Sequence, residues 1–178
     1  MILTGSEIKR QVENGSIQIE PFDADLVNPN SYNYRLGEYI SEFESQDIDP
    51  KKEPQVKTYR IPSEGVILYP NKLYLGHTLE SIGSYEYVAS LIGRSSVGRL
   101  GLFLQITADL GQLGKAHQWT LELKVVQPLR LYSGMKIGQV SFWQPDGEIN
   151  AHYTKGYVDH NMPRSSSYHE AMKEESSR

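Results

Sequence analysis

Residues 86–101 read Glu-Tyr-Val-Ala-Ser-Leu-Ile-Gly-Arg-Ser-Ser-Val-Gly-Arg-Leu-Gly and join an apolar strand to a turn rich in glycine, serine and arginine. The turn, residues 93–101, holds three glycines, two serines and two arginines. Glycine lets a backbone approach a ligand closely, and serine hydroxyls and backbone amides can donate hydrogen bonds to phosphate oxygens. Arginine binds two phosphate oxygens at once through paired N–H groups. The stretch therefore predicts a strand that delivers an anion-binding turn.

A simpler interpretation of the same turn stays open. Its serines could cap a short helix and its arginines could be solvated. The turn is not a Walker loop, because it lacks the Gly-Lys-Ser/Thr ending that opens a helix beneath phosphates. Any nucleotide site must therefore draw on other residues as well.

On both sides of this stretch the chain reads as short strands spaced at about 8 to 12 residues, which is typical of a sandwich, jelly roll or distorted barrel. Thr4 or Ser6 is a candidate cap for one N-terminal helix, which the Asn14-Gly15 pair would end. We predict a mainly β fold with a short N-terminal helix. The predicted strands are 16–19, 32–36, 39–43, 56–61, 66–69, 72–78, 87–92, 102–107, 118–126 and 136–143.

The length of 178 residues fits one domain, which we place at residues 1–149. Apolar residues become sparse after Trp143, and the chain then passes through Ser165-Ser166-Ser167 into a charged end. We predict a C-terminal tail over residues 150–178. It would be either a frayed terminus or a lid over the active site.

Composition excludes several function classes. The net charge of -4 would repel a nucleic-acid polymer, although a local cationic pocket for one small anion is compatible with it. No apolar run is long enough for a signal peptide or a membrane span, so we expect no membrane partner and a cytoplasmic protein. There are no cysteines, so a deaminase of this sequence cannot use the cysteine-bound zinc of the common hydrolytic deaminases.

The predicted strand 118–126 carries a candidate acid–base group. Residues 119, 121, 123 and 125 share its apolar face by two-residue alternation, and Thr120, Glu122 and Lys124 share the other face. A carboxylate there is either a solvated strand residue or, beside a bound water, a general base that later acts as general acid. The backbone carbonyls of Thr107-Ala108, at the end of the preceding strand, could position such a water.

A metal centre is not supported by the histidine pattern. The five histidines show neither His-x-His nor His-Glu-x-x-His spacing, so we predict no protein-held metal.

At this point the sequence resembles the dCTP deaminase family, over roughly residues 1–145. The matching motifs are the quoted stretch 86–101, Thr107-Ala108, Thr120-Leu121-Glu122, residues 134–139 (Gly-Met-Lys-Ile-Gly-Gln) and residues 30–37 (Asn-Ser-Tyr-Asn-Tyr-Arg-Leu-Gly).

The resemblance implies a homotrimer of the dUTPase-like fold, a distorted jelly roll or β-barrel, with active sites between subunits. It implies hydrolysis of dCTP to dUTP and ammonia without zinc, with Mg²⁺ accompanying the triphosphate. Glu122 would be the proton shuttle, Ser95 and the Ala108 carbonyl would hold the attacking water, and Arg99 would orient the reacting group. The nucleotide-binding residues would be Arg94, Ser95, Ser96, Arg99, Thr107, Gln112, Thr120, Gln139 and Tyr157.

The sequence departs from the family at several of its functional positions. Gln112 stands by residue count where the family has an aspartate that contacts the sugar, Asn33 stands where an aspartate is common, and only Tyr157 matches well in the tail. Two alternatives therefore remain. One is a bifunctional dCTP deaminase and dUTP pyrophosphatase that forms dUMP, and the other is a nucleotide-binding regulatory protein of the same fold.

Overall fold

A computed structural model of the chain describes residues 1–104, 108–154 and 162–175. The described part contains three α-helices and twelve short or medium strands. The helices are α1 (Gly5–Glu13), α2 (Ser95–Gly98) and α3 (Tyr168–Glu175). The strands are β1 (Gln18–Glu20), β2 (Val27–Asn28), β3 (Ser31–Arg35), β4 (Tyr39–Phe43), β5 (Val56–Arg60), β6 (Val66–Leu68), β7 (Tyr74–Ser84), β8 (Val88–Gly93), β9 (Leu102–Leu104), β10 (Gly114–Val125), β11 (Leu129–Leu131) and β12 (Lys136–Trp143).

The strands form two main antiparallel sheets and one small two-stranded antiparallel sheet. One sheet runs in the order β5-β4-β7-β10-β9, with β1 also paired to β7. The second runs β2-β3-β12-β8, and β11 pairs with β6. Side chains of both main sheets enter one hydrophobic core, among them Tyr32 of β3, Phe142 of β12 and Leu121 of β10, all fully buried. The prediction of a mainly β fold is confirmed.

The N-terminal helix shows how local sequence fixes an element. The Thr4 side chain accepts a hydrogen bond from the Glu7 N–H and so satisfies one free amide of the first turn. At the other end Gly15 takes a φ of +85°, a left-handed conformation that glycine adopts without steric cost. The start and stop signals in the sequence are confirmed.

The bounds of several strands differ from those predicted. β4 and β12 match, but β7 runs on to Ser84 instead of ending at Thr78, and β10 starts at Gly114 instead of Gln118. These two strands pair with each other through two register shifts. Such irregularities break the two-residue alternation on which the prediction relied.

Within the predicted tail, residues 168–175 form helix α3. No helix within the described residues is long and apolar enough to cross a membrane.

Candidate active site

Strand β10 places Glu122 in the middle of the larger sheet. Glu122 lies opposite Leu75 of β7, and its neighbour Leu123 lies opposite Leu104 of β9. Leu121 and Leu123 are fully buried in the core, whereas Glu122 is only partly buried on the other face. The predicted division of the strand into a core face and a Glu122 face is confirmed.

Glu122 lines a cavity of about 420 Å³ that we call the carboxylate cavity. Three other predicted site residues line it as well: Ala108, Gln112 and Thr120. One wall is apolar and comes from β4, β7 and β10. That wall is formed by Phe43, Leu73, Leu75 and Trp119.

The loop that carries Ala108 and Gln112 is fixed to strand β8. The Leu91 N–H donates to the Asp109 carbonyl at 2.8 Å, and the Gly111 N–H donates to the Ala89 carbonyl at 2.7 Å. These backbone bonds hold both predicted residues at the rim of the cavity. Thr107 lies outside the described residues.

The C-terminal segment reaches the same cavity. The Arg164 N–H donates to the Thr120 hydroxyl at 3.2 Å, Pro163 beside it is buried, and the lining includes Arg164, Ser165 and Ser166. Thr120 and Glu122 share one face of β10, so the segment sits directly beside the predicted proton shuttle. Tyr157 lies outside the described residues.

The turn of residues 93–101, which we call the arginine turn, does not line this cavity. Helix α2 begins after Arg94, which makes no side-chain capping bond, so the expectation that serines cap this helix is not what the structure shows. Arg94 is partly buried, while Ser95, Ser96 and Arg99 are exposed. None of these four residues lines the carboxylate cavity.

The separation follows from the strand order. The Val126 N–H donates to the Gly101 carbonyl, which ties the end of the turn to the end of β10. Val126 is four residues beyond Glu122, or about 13 Å at the usual strand rise of about 3.3 Å per residue. Within one chain, the end of the arginine turn is therefore tied to β10 at a point about 13 Å along the strand from Glu122.

Gln139 belongs with the arginine turn. It lies on β12 opposite Ile92 of β8, and the adjacent pair is Gly138 with Gly93, where the turn begins. Its side-chain oxygen accepts from the Ser31 hydroxyl at 2.8 Å and from the Asn28 amide at 3.4 Å. The predicted site residues that the structure describes thus form two groups, one around Glu122 and one around the turn.

Three basic residues of the cavity lining, Lys115, His117 and Arg164, were not among the predicted site residues. Lys115 and Arg164 add two cations beside Glu122, and His117 stacks on Trp119 with ring centroids 4.6 Å apart. Burial lowers the pKa of His117 below the ordinary value of a histidine, which favours the neutral imidazole at neutral pH. Lys115 and His117 lie seven and five residues before Glu122 on the same strand, and this position was the available signal.

No cluster of three or more histidine, cysteine, aspartate or glutamate side chains suited to a metal occurs within residues 1–104, 108–154 and 162–175. The prediction of a site without a protein-held metal stays a prediction.

Comparison with known proteins identifies the family. A family model described as dCTP deaminase-like matches residues 2–145, which is most of the chain. The chain belongs to the dCTP deaminase-like family. The resemblance read from the sequence motifs is confirmed.

Two curated members of the dCTP deaminase-like family are similar over nearly their whole length. A protein of Leptospira biflexa is 46% identical over 157 residues, which cover 88% of this chain and 90% of that protein. A protein of Hathewaya histolytica is 47% identical over 161 residues, which cover 90% of this chain and 92% of that protein. Both are named dCTP deaminase, dUMP-forming.

These names correct the predicted product. The prediction that dUTP is the end product is wrong, and the dUMP-forming alternative is favoured instead. The motifs behind the prediction identify the family. They leave open whether the phosphate chain is also cut.

A solved structure supports the fold. The crystal structure of 2'-deoxycytidine 5'-triphosphate deaminase from Agrobacterium tumefaciens matches with a TM-score of 0.62. Sequence identity is 22%, and the match covers 79% of this chain and 47% of that chain.

Proposed function

We propose that the protein is a dUMP-forming dCTP deaminase, which converts dCTP and two waters to dUMP, ammonia and pyrophosphate. The observation that carries this proposal is the 46% identity over 88% of the chain to a protein of that name. The carboxylate cavity supports it independently, because it holds one partly buried acid–base group beside a loop carbonyl and two cations.

In the proposed first reaction, a water near the Ala108 carbonyl and the Ser95 hydroxyl gives a proton to Glu122. The water oxygen then bonds to C4 of cytosine, and Glu122 passes this proton to N3 of the base. Glu122 next takes the proton of the new C4 hydroxyl and passes it to the amine. The C4–N bond breaks, ammonia leaves and C4 becomes a carbonyl. In the second reaction, a water hydrolyses the bond between the α- and β-phosphates, which releases pyrophosphate and dUMP.

This chemistry needs two copies of the chain, because Ser95 and Arg99 lie outside the cavity that holds Glu122. We therefore propose a homotrimer with sites between subunits. The surface near the arginine turn fits this assembly, since Leu100, Phe103 and Val126 are 51%, 47% and 61% exposed. Apolar side chains grouped in this way are typical of a surface that another subunit covers.

The phosphates would meet cations and a hydroxyl from the two groups of site residues. Arg94 and Ser96 would come from the arginine turn, and Lys115 and Arg164 would come from the carboxylate cavity. Mg²⁺ prefers oxygen ligands, and the described cavity lining offers a single carboxylate, so the ion would be held mainly by phosphate oxygens and water. Bound in this way, Mg²⁺ would neutralise charge on the triphosphate.

The proposal is tested by product analysis. Purified protein is incubated with Mg²⁺ and dCTP, CTP, dCMP or dUTP, and ammonia, dUMP and pyrophosphate are measured. We expect dCTP to give ammonia and dUMP in equal amounts. Nucleotide binding without turnover would instead favour the regulatory protein, and accumulation of dUTP would contradict the proposed product.

Glu122→Gln keeps the size of the side chain and removes the group that moves protons. We expect ammonia release to fall by at least about a thousandfold, since a positioned acid–base group contributes about 10² to 10⁴ in rate. The matched control is Glu86→Gln, which changes an exposed carboxylate outside the cavity. Equal activity in the two variants would remove Glu122 from the reaction.

A further inference from the structure

Strands β7 and β10 pair through a bulge next to the carboxylate cavity. Gln118 lies opposite Ser81 and Thr120 lies opposite His77, so three residues of β7, 78–80, face the single residue Trp119 of β10. Bulges of this kind re-aim the side chains that follow them. Here the residues that follow on β10 are Thr120 and Glu122.

The Thr78 side chain forms hydrogen bonds to both strands of this bulge. Thr78 is fully buried, and its hydroxyl accepts the Trp119 N–H at 2.9 Å and donates to the Glu80 carbonyl at 2.7 Å. A second hydrogen bond spans the bulge, in which the side-chain amide of Gln118 donates to the Leu79 carbonyl at 2.9 Å. Loss of the Thr78 hydroxyl would take a hydrogen-bond partner from a buried strand amide, which is costly where water cannot replace it.

Trp119 carries the effect of the bulge to the loop that holds Ala108. Its indole N–H donates to the Ile82 carbonyl at 2.9 Å, which fixes the ring. The ring packs beneath Gly111, where a methyl group would lie 2.5 Å from the indole and 2.8 Å from the Ala89 carbonyl. The loop and the Trp119 ring are therefore in close contact at Gly111, so a shift of the ring would press on the loop.

We propose that Thr78 is a positioning residue of the reaction, whose hydroxyl sets Glu122 and the Ala108 loop relative to each other through Trp119. The inference rests on the proposed function and adds to it a buried residue that does not line the cavity. Thr78 contacts β10, the strand that carries Glu122. Through Trp119 it also supports the loop of Ala108, whose carbonyl would hold the water.

The test compares Thr78→Val, which keeps the shape and removes the hydroxyl, with Thr78→Ser, which keeps the hydroxyl. We expect Thr78→Val to lower kcat by about 10- to 100-fold, because small misplacements of reacting groups cost that much. KM for dCTP should change by less than about threefold, since the loss falls on the reaction step. Thr78→Ser keeps the hydroxyl, so its kcat should stay within about threefold of the wild-type value.

A spectroscopic measurement reports the position of Trp119 directly. The chain has two tryptophans, so Trp143→Phe leaves Trp119 as the single fluorophore. In that background we expect Thr78→Val to shift the emission maximum and Thr78→Ser to leave it unchanged. The fluorescence measurement needs no catalytic activity. It therefore tests the position of Trp119 even if the proposed function is wrong.

Gly111→Ala tests the same contact from the loop side if Thr78→Val does not fold. It should also lower kcat more than it changes KM. The proposal is overturned if folded Thr78→Val, or Gly111→Ala in its place, loses only thermal stability while kcat and Trp119 emission stay at wild-type values.

Discussion

At the scale of single residues, the candidate site depends on one carboxylate held on a rigid strand. Glu122 is flanked by two fully buried leucines, so its backbone cannot shift without disturbing the core. Sites built on strands hold their side chains more closely than sites on loops. This explains how one partly buried glutamate could serve both as base and as acid.

His77 gives a prediction about stability. It is buried, its Nε2 accepts from the Tyr39 N–H at 3.3 Å, and its Nδ1 therefore carries the proton that bonds to the Thr78 carbonyl at 2.9 Å. Burial lowers the pKa of His77 from 6.5, although its bonds to Thr78 and Gln118 and the charge of Glu38 oppose that shift.

The unfolded chain therefore binds more protons than the folded one below about pH 6.5, so the free energy of unfolding should fall as pH decreases from there. Urea unfolding of wild type and His77→Gln between pH 7.5 and 5.5 measures this. We expect a smaller fall in the variant. His152→Gln, which removes an exposed histidine, is the control, and identical pH dependence in wild type and His77→Gln would contradict the assignment.

At the scale of elements, the C-terminal segment is the part that most changes the site. A chain that ends at residue 161 lacks Arg164, Ser165 and Ser166, which line the carboxylate cavity. A matched chain that ends at residue 167 keeps them and lacks only α3. The lid role of residues 150–178 stays a prediction.

We expect the shorter chain to raise KM for dCTP by about tenfold, or about 1.4 kcal/mol of binding, and the longer chain to raise it less. Steady-state kinetics on the two truncated chains and the wild type measure both. Equal KM values in all three would show that the segment takes no part in substrate binding.

The elements also show what the sequence could predict. Alternation at residues 119–125 was enough to assign Glu122 to the face away from the core, because a strand puts successive side chains on opposite sides. The rest of the cavity comes from distant parts of the chain, such as Phe43 and Arg164, whose approach is set by sheet order. The bulge at Thr78 was hidden for a related reason, since an irregular register leaves no periodic trace.

At the scale of the whole molecule, the main question is how the residues around Glu122 and those of the arginine turn come together in one site. Glu122 and the arginine turn lie apart on one chain, and the proposed reaction needs them together. The proposed closed symmetric assembly would bring them together, because the cavity of one subunit would then meet the turn of the next. The dUMP product could not be predicted in this way, since it depends on the phosphate end of the site.

Complementation between two inactive variants tests this account most directly. Glu122→Gln and Arg99→Ala are each expected to be inactive on their own, and differently tagged copies are co-expressed and purified through both tags as mixed trimers. In a mixed trimer about one site in three combines Glu122 of one subunit with Arg99 of the next, so we predict about a third of wild-type dUMP formation. Mixed trimers that form dUMP no faster than either variant alone would contradict a site shared between subunits.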